Sequence, residues 1–368
     1  MTVSQSRRNA GPVLIMAGGT GGHVFPALAV AEQLLADGVE VLWLGTRRGL
    51  EARVVPAAGI PIVWIRVAGL RGKGVLDRVL APLMLALALV QALWVMLRVR
   101  PCAVLGMGGY SAGPGGVVAW FLRRPLLIHE QNALPGLTNR WLARFATRVL
   151  ESFPGSFESC YQAVLTGNPV RAAIAAVPPP EARLAGRDGP LRLLVLGGSL
   201  GARVFNETVP GALRRLSAEQ CPQVWHQAGE RTLSVALSQY RAAGIEGARV
   251  EAFIEDMAQA YGWADLVLCR AGAMTVSELA VVGLAAILVP YPHAVDDHQT
   301  RNARYLVERD AALLVAQRDF DEAWLAACLR EFHPARRRLM EMACAARGAG
   351  RPQAARQVAT LCREAAGL

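Results

Sequence analysis

Four apolar runs in this chain each end on a glycine cluster, and that recurrence limits the fold more than any other feature. Val13–Ala17 leads into Gly18-Gly19-Thr20-Gly21-Gly22-His23, with a helical stretch opening at Pro26. Ala103–Leu105 leads into Gly106-Met107-Gly108-Gly109-Tyr110, and Leu191–Leu196 into Gly197-Gly198-Ser199-Leu200-Gly201. Leu266–Cys269 leads into Arg270-Ala271-Gly272-Ala273. Further strand candidates are Val39–Leu44, Ile62–Ile65 and Leu126–His129 in the first half, then Val224–Gln227, Arg249–Phe253 and Ala286–Val289 in the second. Helical patterns lie between them at Pro26–Ala36, Glu51–Ala58, Val79–Leu97, Gly115–Leu122, Leu137–Phe145, Val204–Leu216, Thr232–Ala243, Met257–Tyr261, Thr275–Val282 and Gln299–Glu308. The chain reads as helical from Trp324 onward. Such alternation indicates an α/β fold with parallel sheets covered on both faces.

At 368 residues the chain suits two domains. The Val177-Pro178-Pro179-Pro180 stretch is stiff and extended, and a polar segment follows it to Gly189. We therefore expect a first doubly wound domain over 1–176, a linker over 177–189, and a second over 190–340. Ligands of such sheets bind beyond the carboxyl ends of the strands, here in an interdomain cleft.

A glycine loop feeding a helix start presents free N–H groups to an anion, and the helix dipole adds positive potential. One such loop has a purely steric explanation in a tight turn. Two in each half point to bound phosphates. The first loop lacks the Lys-Ser/Thr of a P-loop, and Gly69-Leu70-Arg71-Gly72-Lys73-Gly74 has a lysine with no Ser/Thr after it. Val24 stands where a dinucleotide fingerprint needs a small residue, which disfavours a dehydrogenase.

Hydrophobic residues make up 53% and charged residues 18%, which excludes global disorder. The net charge of +10 calls for an acidic partner. Aromatic–basic interleaving and zinc-finger spacing are absent from the sequence, so we expect no nucleic acid. The seven cysteines are scattered without a C-x-x-C pair, as free thiols in a reducing compartment would be. The Val13–Ala17 run after Arg7 and Arg8 is too short for a signal-peptide core, and export is not expected. Ala81–Leu97 is apolar except for Gln91 and is flanked by Arg71, Lys73, Arg78, Arg98 and Arg100. It reads either as a buried helix or as one lying on an anionic bilayer. A membrane span fits least, because strand-like and glycine segments resume at once on either side.

Several motifs occur together: Gly18–His23 with Val24-Phe25-Pro26, Gly106–Tyr110, His129-Glu130-Gln131-Asn132, Gly167-Asn168-Pro169-Val170-Arg171, and Gly197–Gly201. Cys269-Arg270-Ala271-Gly272-Ala273-Met274-Thr275-Val276-Ser277-Glu278 and His298-Gln299 with Asn302 complete the series. In this order they closely resemble the MurG family, over nearly the whole chain and most weakly after about Val315. Those bacterial enzymes add N-acetylglucosamine to undecaprenyl-pyrophosphoryl-MurNAc-pentapeptide (lipid I) to give lipid II. The family often has Ser at the position of Ala271 and Leu at that of Met274.

The resemblance implies the GT-B architecture, two Rossmann-like domains with the acceptor and membrane on the first and UDP-N-acetylglucosamine on the second. It implies inversion at the anomeric carbon, no metal and no cofactor. The enzyme would sit peripherally on the cytoplasmic face of the inner membrane, with other cell-wall synthesis proteins as partners. A carboxyl-terminal helix, 341–368, would return to the first domain.

By the same carry-over Glu278 accepts hydrogen bonds from the donor ribose, although Thr275-x-x-Glu278 also reads as a capping box. Ala273, Met274 and Thr275 offer backbone N–H groups to the donor diphosphate, with Arg270 and Ser199 beside them, and Val276 and Ser277 also belong to the donor side. Ile254 meets the uracil through its backbone, and Gln299 and Asn302 meet the sugar hydroxyls. Thr20, Gly21, Gly22, Asn132 and Arg171 complete the donor side, while Gly19, Gly108, Gly109 and Tyr110 face the acceptor pyrophosphate. His23, in a first helical turn, is the leading general base, and Glu130 is its rival.

Overall fold

The computed structural model describes residues 11–67, 75–198 and 201–368, with backbone alone for 75–81 and Val295. Two compact units result: the described residues up to Arg171 together with Pro352–Leu368, and Ala172–Arg351.

In the first unit, seven parallel strands lie in the order β3-β2-β1-β4-β5-β6-β7. They are β1 (Val13–Met16), β2 (Val41–Gly45), β3 (Ile62–Trp64), β4 (Ala103–Gly106), β5 (Leu126–Glu130), β6 (Arg148–Glu151) and β7 (Val164–Leu165). Its helices are α1 (Gly21–Ala36), α2 (Glu51–Ala57), α3 (Val75–Val99), α4 (Ala112–Phe121) and α5 (Leu137–Leu142). The central strands β1, β4 and β5 are buried on both faces and apolar but for His129 and Glu130 at the end of β5, as a sheet sandwiched by helices requires. The sheet reverses direction between β1 and β4, where Met16 pairs with Gly106. The first two glycine clusters therefore emerge side by side at the switch point, the place where such sheets bind ligands.

The second unit repeats the plan with six parallel strands in the order β10-β9-β8-β11-β12-β13. These are β8 (Arg192–Leu196), β9 (Gln223–Gln227), β10 (Arg249–Glu251), β11 (Leu266–Cys269), β12 (Ala285–Leu288) and β13 (Ala312–Leu314). Its helices are α6 (Ala172–Ala175), α7 (Pro180–Leu184), α8 (Arg203–Arg214), α9 (Leu233–Ala242), α10 (Met257–Trp263), α11 (Ala273–Val282), α12 (His298–Val307), α13 (Glu322–Phe332) and α14 (Arg336–Ala349). Leu196 pairs with Cys269 at this sheet's reversal, so the third and fourth glycine clusters also flank a switch point.

The segment 177–189 is not the expected linker, because it is fastened to the second unit. Val177 and Pro180 are buried. Arg183 donates to the carbonyls of Ala264 and Gly283, and Arg187 reaches Asp265 at 2.5 Å. Asp265 is itself buried and also takes Arg336 at 2.8 Å and the Arg192 N–H at 3.0 Å. The last helix, α15 (Ala354–Ala366), rather than all of 341–368, belongs to the first unit. Its Val358, Ala359, Leu361 and Cys362 join the core beside β1 and α1, and Arg363 bonds Asp37 at 2.8 Å. Helix α14 stays on the second unit, against α11 and α7.

The apolar stretch Ala81–Leu97 lies in α3, which buries only one stripe. Ala92, Val95 and Met96 pack with Leu14, Met16, Leu44 and Val104 of the sheet. The opposite face exposes Leu83, Leu85, Leu87, Val90, Trp94 and Leu97, so the fully buried reading does not hold. Pro82–Val99 is long and apolar enough to cross a membrane by length and composition, but the buried stripe ties it to the sheet.

Candidate functional site

Helix α1 begins at Gly21, five residues before the sequence pattern suggested, and His23 occupies its first turn. Thr20 is its N-cap with no side-chain cap bond; the His23 and Val24 N–H groups turn to the Thr20 carbonyl at 3.2 Å each, which leaves those of Gly21 and Gly22 without a side-chain cap. The His23 imidazole rests on the second glycine loop. A Cβ at Gly108 would lie 2.9 Å from its Cε1 and Nδ1. Gly109 is equally constrained, since a Cβ there would meet the Gly18 carbonyl at 2.3 Å, and both glycines have positive φ. The two loops interlock because neither position has a side chain.

His23 Nδ1 lies 2.7 Å from Gln131 Oε1. The Gln131 amide nitrogen lies 3.0 Å from His129 Nδ1 and 3.1 Å from the His129 carbonyl. His129 Nε2 in turn lies 3.0 Å from the Gly167 carbonyl. Burial pushes the His129 pKa down to about 4, the Gly167 bond opposing and His23 adding to the fall, so the ring is neutral near pH 7.

Glu130, the rival base, has both carboxylate oxygens engaged. It is 2% exposed. One oxygen accepts from the Asn132 N–H and side-chain amide at 3.0 and 3.2 Å, and the other from the Gly136 N–H and Asn139 at 3.0 Å each. Four donors fill the acceptor sites of the carboxylate, two of them from Asn132. The Gly19 N–H is likewise unavailable to a pyrophosphate, because Glu51 Oε2 takes it at 2.9 Å. Glu51 is fully buried and also accepts from the Thr46 N–H and hydroxyl at 3.0 and 2.7 Å. Tyr110 is exposed, and Arg171 lies over the Phe25 ring at 5.6 Å, beside the start of α1.

In the second unit α11 begins at Ala273 with Gly272 as N-cap and no side-chain cap. Thr275 and Glu278 therefore lie inside the helix, and the capping box is not formed. The N–H groups of Ala273, Met274 and Thr275 belong to the uncapped first turn, where Ala273 is buried and Met274 and Thr275 are half-buried, while Val276 and Ser277 are buried behind it. Glu278 Oε2 accepts from the Tyr261 hydroxyl at 2.9 Å. Arg270 is no solvated surface residue. It donates to the Val289 and Pro290 carbonyls at 3.1 and 3.2 Å and to Gln317 at 2.6 Å, and burial lowers its pKa. The Ile254 N–H is held by Gln227 at 3.1 Å, which leaves the carbonyl of this buried residue as its polar group. Gln299 accepts from the Tyr291 N–H at 2.9 Å. Asn302 is fully enclosed and its amide holds the Ala271 carbonyl at 3.3 Å, beside the Arg270–Ala273 turn. Ser199 and the 69–74 glycine loop lie outside the described residues.

Sequence reasoning missed Glu51, Tyr261, Gln227 and Gln317, and gave Gln131 no role although it stands inside the quoted His129–Asn132 run. Each acts through a partner distant in sequence, and local spacing carries no signal of that. Among the described residues no group of three or more His, Cys, Asp or Glu is placed to hold a metal ion.

Residues 13–151 match the glycosyltransferase family 28 N-terminal domain and 192–358 the family 28 C-terminal domain. A protein of Marinobacter nauticus is 54% identical, with 100% of this chain and 99% of that protein covered. One of Alkalilimnicola ehrlichii is 59% identical over 96% of this chain and 99% of its own. Both are named UDP-N-acetylglucosamine--N-acetylmuramyl-(pentapeptide) pyrophosphoryl-undecaprenol N-acetylglucosamine transferase. The crystal structure of Acinetobacter baumannii MurG superimposes with a TM-score of 0.84 at 40% identity, covering 96% of this chain and 99% of that one. With both family 28 domains present in order and identity sustained end to end, this chain belongs to the MurG family of glycosyltransferases.

Proposed function

We propose that this chain transfers N-acetylglucosamine from UDP-N-acetylglucosamine to the muramyl 4-hydroxyl of lipid I, with inversion, giving lipid II for peptidoglycan synthesis. The observation that carries this is identity of 54–59% with transferases of that name over essentially the whole chain. The donor is held by the second unit. Its diphosphate rests on the first turn of α11, whose N–H groups and dipole oppose the charge that develops as UDP leaves. Arg270 adds positive potential from behind, its own donors being spent on protein acceptors. Glu278, steadied by Tyr261, takes the ribose hydroxyls.

In the first unit His23 is the base. The acceptor oxygen forms its bond to the anomeric carbon as the bond from that carbon to the UDP oxygen breaks. The electron pair leaves on UDP, and the hydroxyl proton passes to the imidazole. Glu130 fixes Asn132 nearby.

A lipid acceptor also suits the surface of the first unit. Beside the exposed face of α3, Trp120 and Phe121 of α4 and Trp141 of α5 are exposed, and Trp120 and Trp141 both pack on Phe145. Arg98 lies over Trp94, and Arg100, Arg123, Arg124, Arg140 and Arg144 occupy the same elements or their ends. An apolar patch with arginines among it matches an anionic bilayer surface, with peripheral attachment and no span.

The test is transfer by the purified protein from labelled UDP-N-acetylglucosamine. Labelled disaccharide-lipid should form with lipid I in anionic vesicles, and far less product with a water-soluble muramyl acceptor. Absence of product from lipid I, or equal use of the soluble acceptor, contradicts the proposal.

A further inference from the structure

The structure assigns to Gln131 and His129 a positioning role: they set which nitrogen of His23 carries the proton. The inference rests on His23 being the base, and it begins at two atoms that can only accept, the carbonyl oxygens of Gly167 and His129.

The Gly167 carbonyl lies 3.0 Å from His129 Nε2, so that nitrogen carries hydrogen. Ser152 Oγ, 3.5 Å from the same nitrogen, directs its own proton to the Glu130 carbonyl at 2.7 Å or Asn168 Oδ1 at 2.8 Å, and so competes with nothing. Because burial keeps the His129 ring neutral, its Nδ1 is bare and must accept. The Gln131 amide could in principle be turned either way. The His129 carbonyl at 3.1 Å decides it, since only the NH2 end can face an oxygen acceptor, and the same NH2 group serves His129 Nδ1 at 3.0 Å. Gln131 therefore turns its Oε1 toward His23. At 2.7 Å from that oxygen, His23 Nδ1 must be the donor. The remaining nitrogen, Nε2, holds the lone pair and has no partner among the described residues. An isolated neutral histidine prefers the opposite tautomer, with hydrogen on Nε2, which cannot take a proton there. The relay thus places the basic lone pair on Nε2, the ring nitrogen that the relay leaves unengaged.

The experiment uses the full-length protein labelled with 15N-histidine. The chain has six histidines, and His23→Ala identifies the signals of His23. At neutral pH the His23 Nδ1 should give a pyrrole-type shift and Nε2 a pyridine-type shift. In Gln131→Met, which keeps the bulk and removes the relay, the pattern should reverse. Its kcat should fall on the order of 10-fold to 100-fold while the donor KM stays within about twofold. Gln131→Glu, whose carboxylate can still accept from Nδ1, should restore the wild-type pattern and recover part of kcat over Gln131→Met. A folded Gln131→Met protein that keeps the wild-type pattern, or a wild type with hydrogen on Nε2, overturns the assignment. If the shifts are as assigned but His23→Ala transfers sugar at the wild-type rate, the base reading falls and the tautomer assignment stands.

Discussion

Substituting Gly108 by alanine tests the interlocked glycine loops directly, because two separable costs fall on one position. The first is conformational. Gly108 has φ +88°, and a residue with a Cβ pays roughly 1–2 kcal/mol in that region. For a unit of this size each kcal/mol lowers Tm by about 2–4 °C, so a fall of about 2–8 °C is expected. The second is steric. The new methyl would stand 2.9 Å from His23 Cε1 and Nδ1. Carbon atoms settle at roughly 3.5 Å or more, so the ring must retreat by about 0.6 Å. The Nδ1···Oε1 bond, now 2.7 Å, then stretches toward about 3.3 Å, the long end of the hydrogen-bond range, and weakens. A misplacement of 1 Å at a reacting group costs about 100-fold, so a drop of roughly 10-fold in kcat is expected here.

Gly38→Ala supplies the control. Gly38 has φ +75°, follows the end of α1, and has no atom within 4 Å of its would-be Cβ. It should lose similar stability with unchanged kcat. The assay pairs calorimetry with initial rates on lipid I, measured well below both melting transitions. Full kcat in Gly108→Ala, or an equal loss of kcat in Gly38→Ala, refutes the reasoning.

Three further outcomes are expected. Glu51→Ala strands the Gly19 and Thr46 donors and should cost roughly 2–4 kcal/mol in urea unfolding, with Glu51→Gln losing less; equal midpoints for the two variants would count against the anchor role. Trp94→Glu and Phe121→Glu each remove an exposed apolar group, so sedimentation with anionic vesicles should show binding weaker by about 10-fold or more with Tm unchanged, and wild-type binding by both variants would contradict the surface reading. Burial lowers the pKa of His129 to about 4 and of His226 to about 3, whereas unfolded histidine titrates near 6.5. The unfolded chain therefore binds more protons below pH 6.5. The stability these two rings contribute is complete above that pH and is lost as pH falls toward 4 and then 3, at about 1.4 kcal/mol per unit for each ring, and a urea midpoint constant from pH 7.5 to 5 would refute the assignment.

How much of this was legible before the structure follows from where the information lies. Strands β1, β4, β8 and β11 are apolar runs, Arg192 at the start of β8 apart, that lead into glycine-containing turns, and burial on both faces makes them legible. Strands β6, β7 and β13 escaped notice. β6 reads Arg148-Val149-Leu150-Glu151 with charged ends, and β7 and β13 are two and three residues long. The start of α1 was hidden because Gly21 and Gly22 read as loop, yet they form its first turn. Glu51 reaches Gly19 across 32 residues of sequence and two elements, and no periodicity announces such a contact. The motifs located the glycine turns and His23. They could not tell a saturated carboxylate such as Glu130 from a free one, because that depends on what folds around it.

The return of α15 means that the first unit is assembled from two stretches of chain far apart in sequence. The chain passes from one compact body to the other at Arg171 and comes back at Arg351. The second unit is thus an insertion, with both its ends joined to the first. A chimera made by cutting once in the middle and joining halves of two relatives would pair one parent's β1 and α1 with the other parent's Val358, Leu361 and Cys362. Exchange of donor specificity between relatives should instead move 172–351 as a cassette, leaving the last 17 residues with the body whose interior they complete.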